Sequence, residues 1–308
     1  MATGNELINL GVCGVGSLKG YNQTKGCSIP FKDIRAMYFT DVDVQFDLTQ
    51  DFNEDYIKSF QLAGQLNILN QIETVTEEGT DPNIFTSPRG AEIVTVDPIY
   101  KFKAIWLRDL WLNAQLEALE GNYHKRVIII DSAGNILMTS GTDENKARGF
   151  LVSSIYKDRN IFQSPGVASQ QGLNVQLDDS SELDTTQYKI IAADNLDFNP
   201  LRVEPIVQAY VDFNGTVPAN LATTIEVRAL LDRGRKTTVT GLTTSGDFKV
   251  TINGVEEAAS VAVDASGIYT ITTTALATDD VVKVSINGVK EVVGDALYVS
   301  NTASVTVV

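Results

Sequence analysis

The strongest constraint on the fold is an alternating run of residues that occurs twice in the last third of the chain. Phe248–Val255 reads Phe-Lys-Val-Thr-Ile-Asn-Gly-Val, and Val282–Val289 reads Val-Lys-Val-Ser-Ile-Asn-Gly-Val. Alternation of apolar and polar residues indicates half-buried strands, and Asn-Gly favours a tight hairpin turn with positive φ at both central residues. The β-branched segment Ser266–Thr274 predicts another strand between the two runs. We therefore expect an immunoglobulin-like β-sandwich over residues 216–308.

Composition narrows the class of protein further. The chain has 308 residues, of which 43% are hydrophobic, so it is long enough for two domains with ordinary cores. Its 39 acidic and 24 basic residues give a net charge of −15, which disfavours a nucleic-acid-binding protein because such affinity comes largely from Lys and Arg. We find no signal-peptide pattern and no stretch of roughly 20 apolar residues. The expectation is a soluble protein made in the cytoplasm, with no membrane partner.

The first two thirds of the chain predict a β-rich domain. Residues 1–30 are rich in glycine and are expected to form an N-terminal arm or irregular segment. Residues 31–215 are expected to form a β-sandwich or barrel-like assembly domain, with the boundary set by the break at Asn214–Pro218. Asn53 predicts the cap of a short helix, and Asp109 predicts the cap of a central helix near 109–120. Strands are expected between these elements, including a buried one at Arg126–Asp131 and a half-buried one at Val42–Leu48.

One segment of this domain is predicted to be a subunit contact. Residues 73–93 read as a long loop, and loops of this length without structure of their own are uncommon in compact domains. Ile84 and Phe85 stand near its centre, where solvated loops are usually polar. Pro82 and Pro88 bracket the pair and limit its freedom before docking. We take these four residues as subunit-interface candidates. In the alternative, Ile84 and Phe85 fold back onto their own domain.

The sequence predicts no catalytic, cofactor or metal site. The single histidine, His124, follows a helix end, where a capping role is expected. Cys13 and Cys27 are expected to be reduced thiols, although a disulfide between them is left open. No nucleophile elbow, phosphate-binding loop or paired histidines are present. We therefore expect a structural or binding protein, and not an enzyme, although a carboxylate pair for glycoside hydrolysis is not excluded by sequence alone.

Two acidic groups are weighed as calcium ligands. The residues of one group alternate along a predicted strand, so they would line one of its faces, and the other group lies in a predicted turn. Both groups are interpreted as solvated surface, with calcium binding as the alternative. The group in the predicted turn lacks the ligand spacing of a dedicated calcium loop. The first group is Asp41, Asp43 and Asp47, and the second is Asp178, Asp179, Glu182 and Asp184.

The order of segments resembles a known family. A β-rich first domain has a long inter-strand segment, one central helix and then the strands of Arg126–Gly141 and Gly149–Ser153, and an immunoglobulin-like module follows. This order is similar to that of the tail-tube proteins of long-tailed bacteriophages and, more loosely, to other phage virion proteins.

The resemblance implies a homo-oligomer of hexameric rings located in the virion and made in the host bacterial cytoplasm. Sheets would line a channel that DNA contacts only passively, the segment at 73–93 would reach the adjacent ring, and other virion proteins would be partners. A capsid, decoration or neck protein is the alternative, and a bacterial surface or carbohydrate-binding protein is a second alternative.

Overall fold

The computed structural model describes residues 31–107, 112–121, 123–183, 188–215, 217–232, 235–263, 266–292 and 296–308. Over these residues the chain is mainly β with two short α-helices, which confirms the predicted fold class. The expected N-terminal segment, with Cys13 and Cys27, lies outside the described residues, as does the predicted cap Asp109.

The described residues form two compact units. The first comprises 31–58 and 65–203, and the second comprises 59–64 and 204–308. The division therefore falls before the boundary that the sequence placed at 215. Ile206–Phe213 is the reason, because this strand pairs on both sides within a sheet of the second unit. Residues 214–218, expected to be a linker, lie between two paired strands of that sheet.

The first unit contains the first part of one helix, the whole of the next and thirteen strands over the described residues. The helices are α1 (Glu54–Leu62) and α2 (Leu112–Leu119). The strands are β1 (Ile34–Asp41), β2 (Phe46–Asp47), β3 (Leu66–Leu69), β4 (Thr74–Glu77), β5 (Asn83–Thr86), β6 (Glu92–Val96), β7 (Lys101–Leu107), β8 (Lys125–Asp131), β9 (Ile136–Ser140), β10 (Lys146–Arg148), β11 (Phe150–Lys157), β12 (Gln170–Leu177) and β13 (Tyr188–Ile191).

Most of these strands belong to one sheet, which is eleven-stranded over the described residues. Its path is β2-β10-β9-β8-β11-β12-β7-β4, with β1 paired to β8 and β3, and β13 paired to β9. β8 lies at the branch point: β1 follows one of its edges, while β9 and β11 share the other. Its residues 127–130 are fully buried, as predicted for this strand. A strand covered on both faces reads as a continuous apolar run, which is what Val-Ile-Ile-Ile provides.

The helices begin and end at the residues that the sequence indicated, where these are described. The Asn53 side chain accepts a hydrogen bond from the Tyr56 amide at 2.8 Å, which caps α1, and Gly64 follows the helix with φ +71°. Leu116 and Leu119 of α2 are buried in the core that β7, β11 and β12 also line. Gly121, with φ +75°, follows the end of α2.

One predicted strand of this unit is wrong. Val42–Leu48 was expected to be a single strand, but only the two residues of β2 are extended and paired. The Val44 amide donates to the Asp41 carbonyl at 3.2 Å, which turns the chain before β2. Asp41 then forms an ion pair with Lys125, and the Asp47 carboxylate accepts a hydrogen bond from Thr49 Oγ1 at 2.6 Å. These carboxylates are therefore not aligned along one strand face.

The second unit is a two-sheet sandwich. Its strands are β14 (Ile206–Phe213), β15 (Thr224–Leu231), β16 (Phe248–Ile252), β17 (Val255–Glu257), β18 (Ser260–Val263), β19 (Ile268–Thr272), β20 (Val281–Ile286), β21 (Lys290–Glu291), β22 (Leu297–Ser300) and β23 (Ala303–Thr306). One sheet has the order β18-β19-β15-β14-β22-β21 and the other β17-β16-β20-β23.

The strand order identifies the predicted immunoglobulin-like sandwich. When β14 to β20 are lettered A, B, C, C′, D, E and F and β23 is G, one sheet contains D-E-B-A and the other C′-C-F-G. Inward-facing residues of both sheets share one core, in which the Phe248 and Tyr269 rings lie 5.1 Å apart. The two similar sequence runs lie side by side, since β16 pairs with β20.

The two Asn-Gly dipeptides differ in conformation. Asn253 and Gly254 have φ of +52° and +84°, so they form the predicted tight turn between β16 and β17. Of Asn287 and Gly288, only Gly288 has positive φ, at +65°. After it the chain crosses from β20 in one sheet to β21 in the other. The second dipeptide therefore turns the chain without closing a hairpin.

Candidate assembly surface

The segment predicted to be a long loop consists largely of strands. β4, β5 and β6 fall within or overlap residues 73–93, so the expectation of a structureless loop is wrong. β4 pairs with β7 in the large sheet, and β5 pairs with β6 as a separate two-stranded ribbon. Between the β4–β7 pair and the β5–β6 ribbon, the two chain segments are joined by Thr80 and Ile99, which exchange backbone hydrogen bonds of 2.9 and 3.0 Å. We call residues 74–99 the β-arm.

A local turn closes the β-arm. The chain reverses at Ser87-Pro88-Arg89-Gly90, where the Ser87 amide donates to the Ala91 carbonyl at 2.7 Å and Gly90 has φ +82°. Pro at the first central position and Gly at the left-handed position are typical of a three-residue hairpin loop. Runs of β-branched and aromatic residues flank this turn on both sides. That combination was a hairpin signal available in the sequence.

The root of the β-arm requires a residue without a side chain. A Cβ atom at Gly79 would lie 2.1 Å from the Ile99 carbonyl oxygen. No heavy atoms approach so closely without a shift of the backbone. Gly79 therefore permits the strand leaving β4 to run close beside the strand entering β7.

The β-arm carries apolar side chains on both faces. Ile84 pairs with Val94 and Phe85 with Ile93, and directly opposite residues point to the same side of a ribbon. Since neighbouring residues in a strand alternate, the two pairs lie on opposite faces. Each of these four side chains is 54–55% exposed. Over the described part of the chain, the interface candidates Ile84 and Phe85 are therefore about half exposed to solvent and lie in a ribbon that pairs with no third strand.

The two prolines occupy different positions in the β-arm. Pro82 is half-buried and directly precedes β5, whereas Pro88 is exposed in the closing turn. Both restrict the backbone on either side of the Ile84–Phe85 pair.

Charged groups hold the root of the β-arm on the sheet. The Lys101 Nζ lies 2.9 Å from Glu78 Oε2 and 5.5 Å from the centroid of the Tyr156 ring. Hydrogen bonds with Tyr156 and Glu78 raise the pKa of Lys101 to about 12. The Lys103 Nζ lies 2.7 Å from Asp158 Oδ2, which joins β7 to the segment that follows β11. At the root of the β-arm, the Lys101–Glu78 ion pair therefore adds to the backbone pairing of β4 with β7 and to the packing of Val75 on the core.

The described acidic residues that were considered for calcium make separate contacts with their own neighbours. Glu182 is buried and pairs with Arg126 at 3.0 Å while accepting the Leu151 amide at 2.7 Å. Asp179 accepts the Ser181 amide at 2.8 Å, and hydrogen bonds from the Ser181 side chain and amide lower its pKa. Asp184 lies outside the described residues. Within the described ranges, the structure brings together no group of three or more metal-binding side chains. His124 is described and exposed.

A second apolar surface was missed in the sequence. β11 and β12 form a hairpin whose end, residues 159–170, we call the β11–β12 tip. Ile161, Phe162 and Val167 are exposed there, Phe162 by 68%. The adjacent pair Ile161-Phe162 in a polar segment is the same signal as Ile84-Phe85, and it could have been found in the same way.

The chain matches no protein-family model and no curated protein sequence. Neither described helix is long and apolar enough to cross a bilayer.

Proposed function

We propose that this chain is a self-assembling structural subunit of a bacteriophage virion, and that the β-arm forms a contact between subunits. The observation that carries the proposal is the β-arm with apolar side chains exposed on both faces. Burial of a large apolar side chain stabilises a contact by about 1.5–3 kcal/mol relative to full exposure. Exposed apolar clusters of this kind mark interaction surfaces in soluble proteins.

The structure of the β-arm adds a second argument. An isolated two-stranded ribbon is marginally stable in water, and it gains independent stability when other strands or helices cover a face. Because β5–β6 pairs with no third strand among the described residues, a partner molecule would supply that cover. A ribbon apolar on both sides is suited to insertion between two neighbouring surfaces.

Within this class we favour a tail-tube subunit that assembles into hexameric rings. The order of segments resembles that family, and the net charge of −15 suits a channel through which DNA slides without binding. A capsid, decoration or neck subunit is the second candidate, since an apolar β-arm would serve equally in a lattice. Tubes, shells or small rings in negative-stain images of the purified protein distinguish these roles.

The test of assembly is the double change Ile84→Ser and Phe85→Ser. Ile84 and Phe85 are each 54% exposed in the single chain, so the variant loses about half of their full burial energy at each contact, about 1.5–3 kcal/mol in total, which corresponds to roughly a tenfold to hundredfold weaker association. The variant should keep the circular dichroism spectrum and thermal midpoint of the parent, while light scattering and negative-stain images should show it stopping at a monomer or a single ring at concentrations where the parent forms larger particles.

A matched control removes two exposed apolar side chains from the second unit. Leu221 and Val255 are 74% and 64% exposed, and changing both to Ser should leave assembly intact. If the β-arm variant assembles like the parent, the proposed function is wrong. If it unfolds, Ile84 and Phe85 stabilise the single chain instead of the assembly.

A further inference from the structure

We infer that the β-arm of one copy binds the β11–β12 tip of a second copy, so that subunits join head to tail. The inference rests on the proposed function and specifies the partner surface. In the large sheet, β7 lies between β4 and β12, the strands that lead to the two surfaces.

The two apolar surfaces leave the sheet at opposite ends of β7. At one end, Phe102 pairs with Glu77, and the β-arm continues outward from there through the Thr80–Ile99 bridge. At the other end, Leu107 pairs with Gln170, where the β11–β12 tip begins. Phe102 and Leu107 are about 17 Å apart at the usual rise per residue of a strand. Because the β-arm and the β11–β12 tip lie at opposite ends of the same strand, the β-arm of each subunit can contact the tip of the next, and identical subunits can stack in a row.

Side-chain chemistry makes the two surfaces complementary. Both present exposed adjacent apolar pairs, Ile84-Phe85 on the β-arm and Ile161-Phe162 on the tip. Their charges differ. The β-arm carries five acidic residues and one basic residue, whereas the only charged residue of the tip is the basic Arg159. The acidic residues of the β-arm are Glu77, Glu78, Asp81, Glu92 and Asp97.

This charge distribution favours the β-arm against the tip over the β-arm against itself. A symmetric contact between two β-arms would bring acidic segments together, and like charges across an interface are unfavourable. Contact with the tip brings the same acids beside an apolar surface with a positive charge. A contact between two different surfaces of identical subunits is heterologous, and it produces rings or open stacks instead of closed dimers.

The experiment mixes two variants that each lack one surface. The β-arm variant carries Ile84→Ser and Phe85→Ser, and the tip variant carries Ile161→Ser and Phe162→Ser. Each variant alone should stop at its basic unit, either a monomer or a single ring. A mixture in equal amounts retains one complementary pair of surfaces. We therefore expect the mass of the basic unit to double in light scattering, with no further growth.

The outcomes separate this inference from the proposed function. If the tip variant assembles like the parent, or if the mixture does not double, the head-to-tail contact is wrong while the function of the β-arm stands. If the β-arm variant assembles like the parent, the proposed function itself fails. In the complementary electrostatic test, Arg159→Glu should weaken association by about tenfold, and an unchanged or stronger association would count against the charge argument.

Disulfide cross-linking decides the matter if the tip variant does not fold. In a Cys13→Ser, Cys27→Ser background, Phe85→Cys and Phe162→Cys together should give a ladder of cross-linked oligomers under oxidation, and either cysteine alone should give none. The control pair Phe85→Cys and Val255→Cys should also give none. Cross-linking of the Phe85→Cys protein alone would show a contact between β-arms and overturn the inference.

Discussion

The hairpins β16–β17 and β5–β6 differ in where their apolar side chains lie: in a closed core in the first and exposed to solvent in the second. In β16–β17, apolar residues alternate with polar ones, and Phe248 and Val250 point into a closed core. In β5–β6, apolar residues stand next to each other in both strands, so each face of the ribbon has an apolar pair. The first hairpin obtains its cover from the opposite sheet of its own unit. In the second hairpin no third strand pairs with the ribbon among the described residues, and under the proposed function a neighbouring subunit would cover it.

The largest expected effect tests whether each region can fold without the rest. A fragment of residues 204–308 should fold alone, because it contains both sheets and their shared core. A fragment of residues 216–308 should not, since it lacks β14 and the buried Ala209 and Val211. A peptide of residues 74–99 should be unstructured. Circular dichroism and denaturant unfolding measure all three. A cooperative transition in residues 216–308 would show that β14 is dispensable.

The next prediction compares one aromatic residue from each region. Phe248→Ala removes a ring that is 4% exposed, and the cavity should lower the free energy of unfolding of the second unit by about 3–5 kcal/mol. Phe85→Ala removes a ring that is 54% exposed and should change the stability of the unassembled chain by less than about 0.5 kcal/mol. Chemical denaturation at low protein concentration measures both. Equal losses would contradict the assignment of Phe85 to an intermolecular contact.

A smaller effect is expected at the two turn glycines. Gly254 has φ +84° and Gly90 has φ +82°, and neither position would bring a new Cβ within 4 Å of another group. An alanine at either position therefore costs about 1–2 kcal/mol from backbone conformation alone. For Gly254→Ala this should appear as lower global stability of the second unit. For Gly90→Ala it should appear only as faster amide exchange in β5 and β6, and a global loss would show that the β-arm is coupled to the core.

The smallest effect concerns acid. Burial works to raise the pKa of Asp158, but hydrogen bonds from Lys103 and Asn174 outweigh it and lower the pKa below the ordinary 3.8. Because its pKa is lowered in the folded state, the Asp158 carboxylate contributes its full stabilisation of the first unit above about pH 3.8. That stabilisation is lost as the pH falls through the lower pKa of the folded state. Asp158→Asn should lower the stability of the first unit by about 1 kcal/mol at pH 6 and by less at pH 3. An equal loss at both pH values would assign the effect to packing.

Local signals in the sequence determined much of the secondary structure. These signals act through a residue and its near neighbours, so their free energies can be judged from the sequence. They are the alternation in β16 and β20, the Asn53 cap, the turn glycines and the buried run in β8. The same local reasoning failed at Val42–Leu48. The residues alternate as in a strand, but the backbone turns after Asp41 and is extended and paired only in β2. It failed again at residues 73–93, where the turn at Ser87–Gly90 joins two paired strands in place of a structureless loop.

The sequence by itself determined the mainly-β class, the immunoglobulin-like sandwich and the exceptional character of Ile84 and Phe85. Tertiary structure decided that β14 belongs to the second unit, that Glu182 pairs with buried Arg126, and that the two apolar surfaces lie at opposite ends of β7. These features depend on which distant strands pair. Strand pairing joins residues far apart in sequence, so its free energy is shared by many contacts and no single segment encodes it.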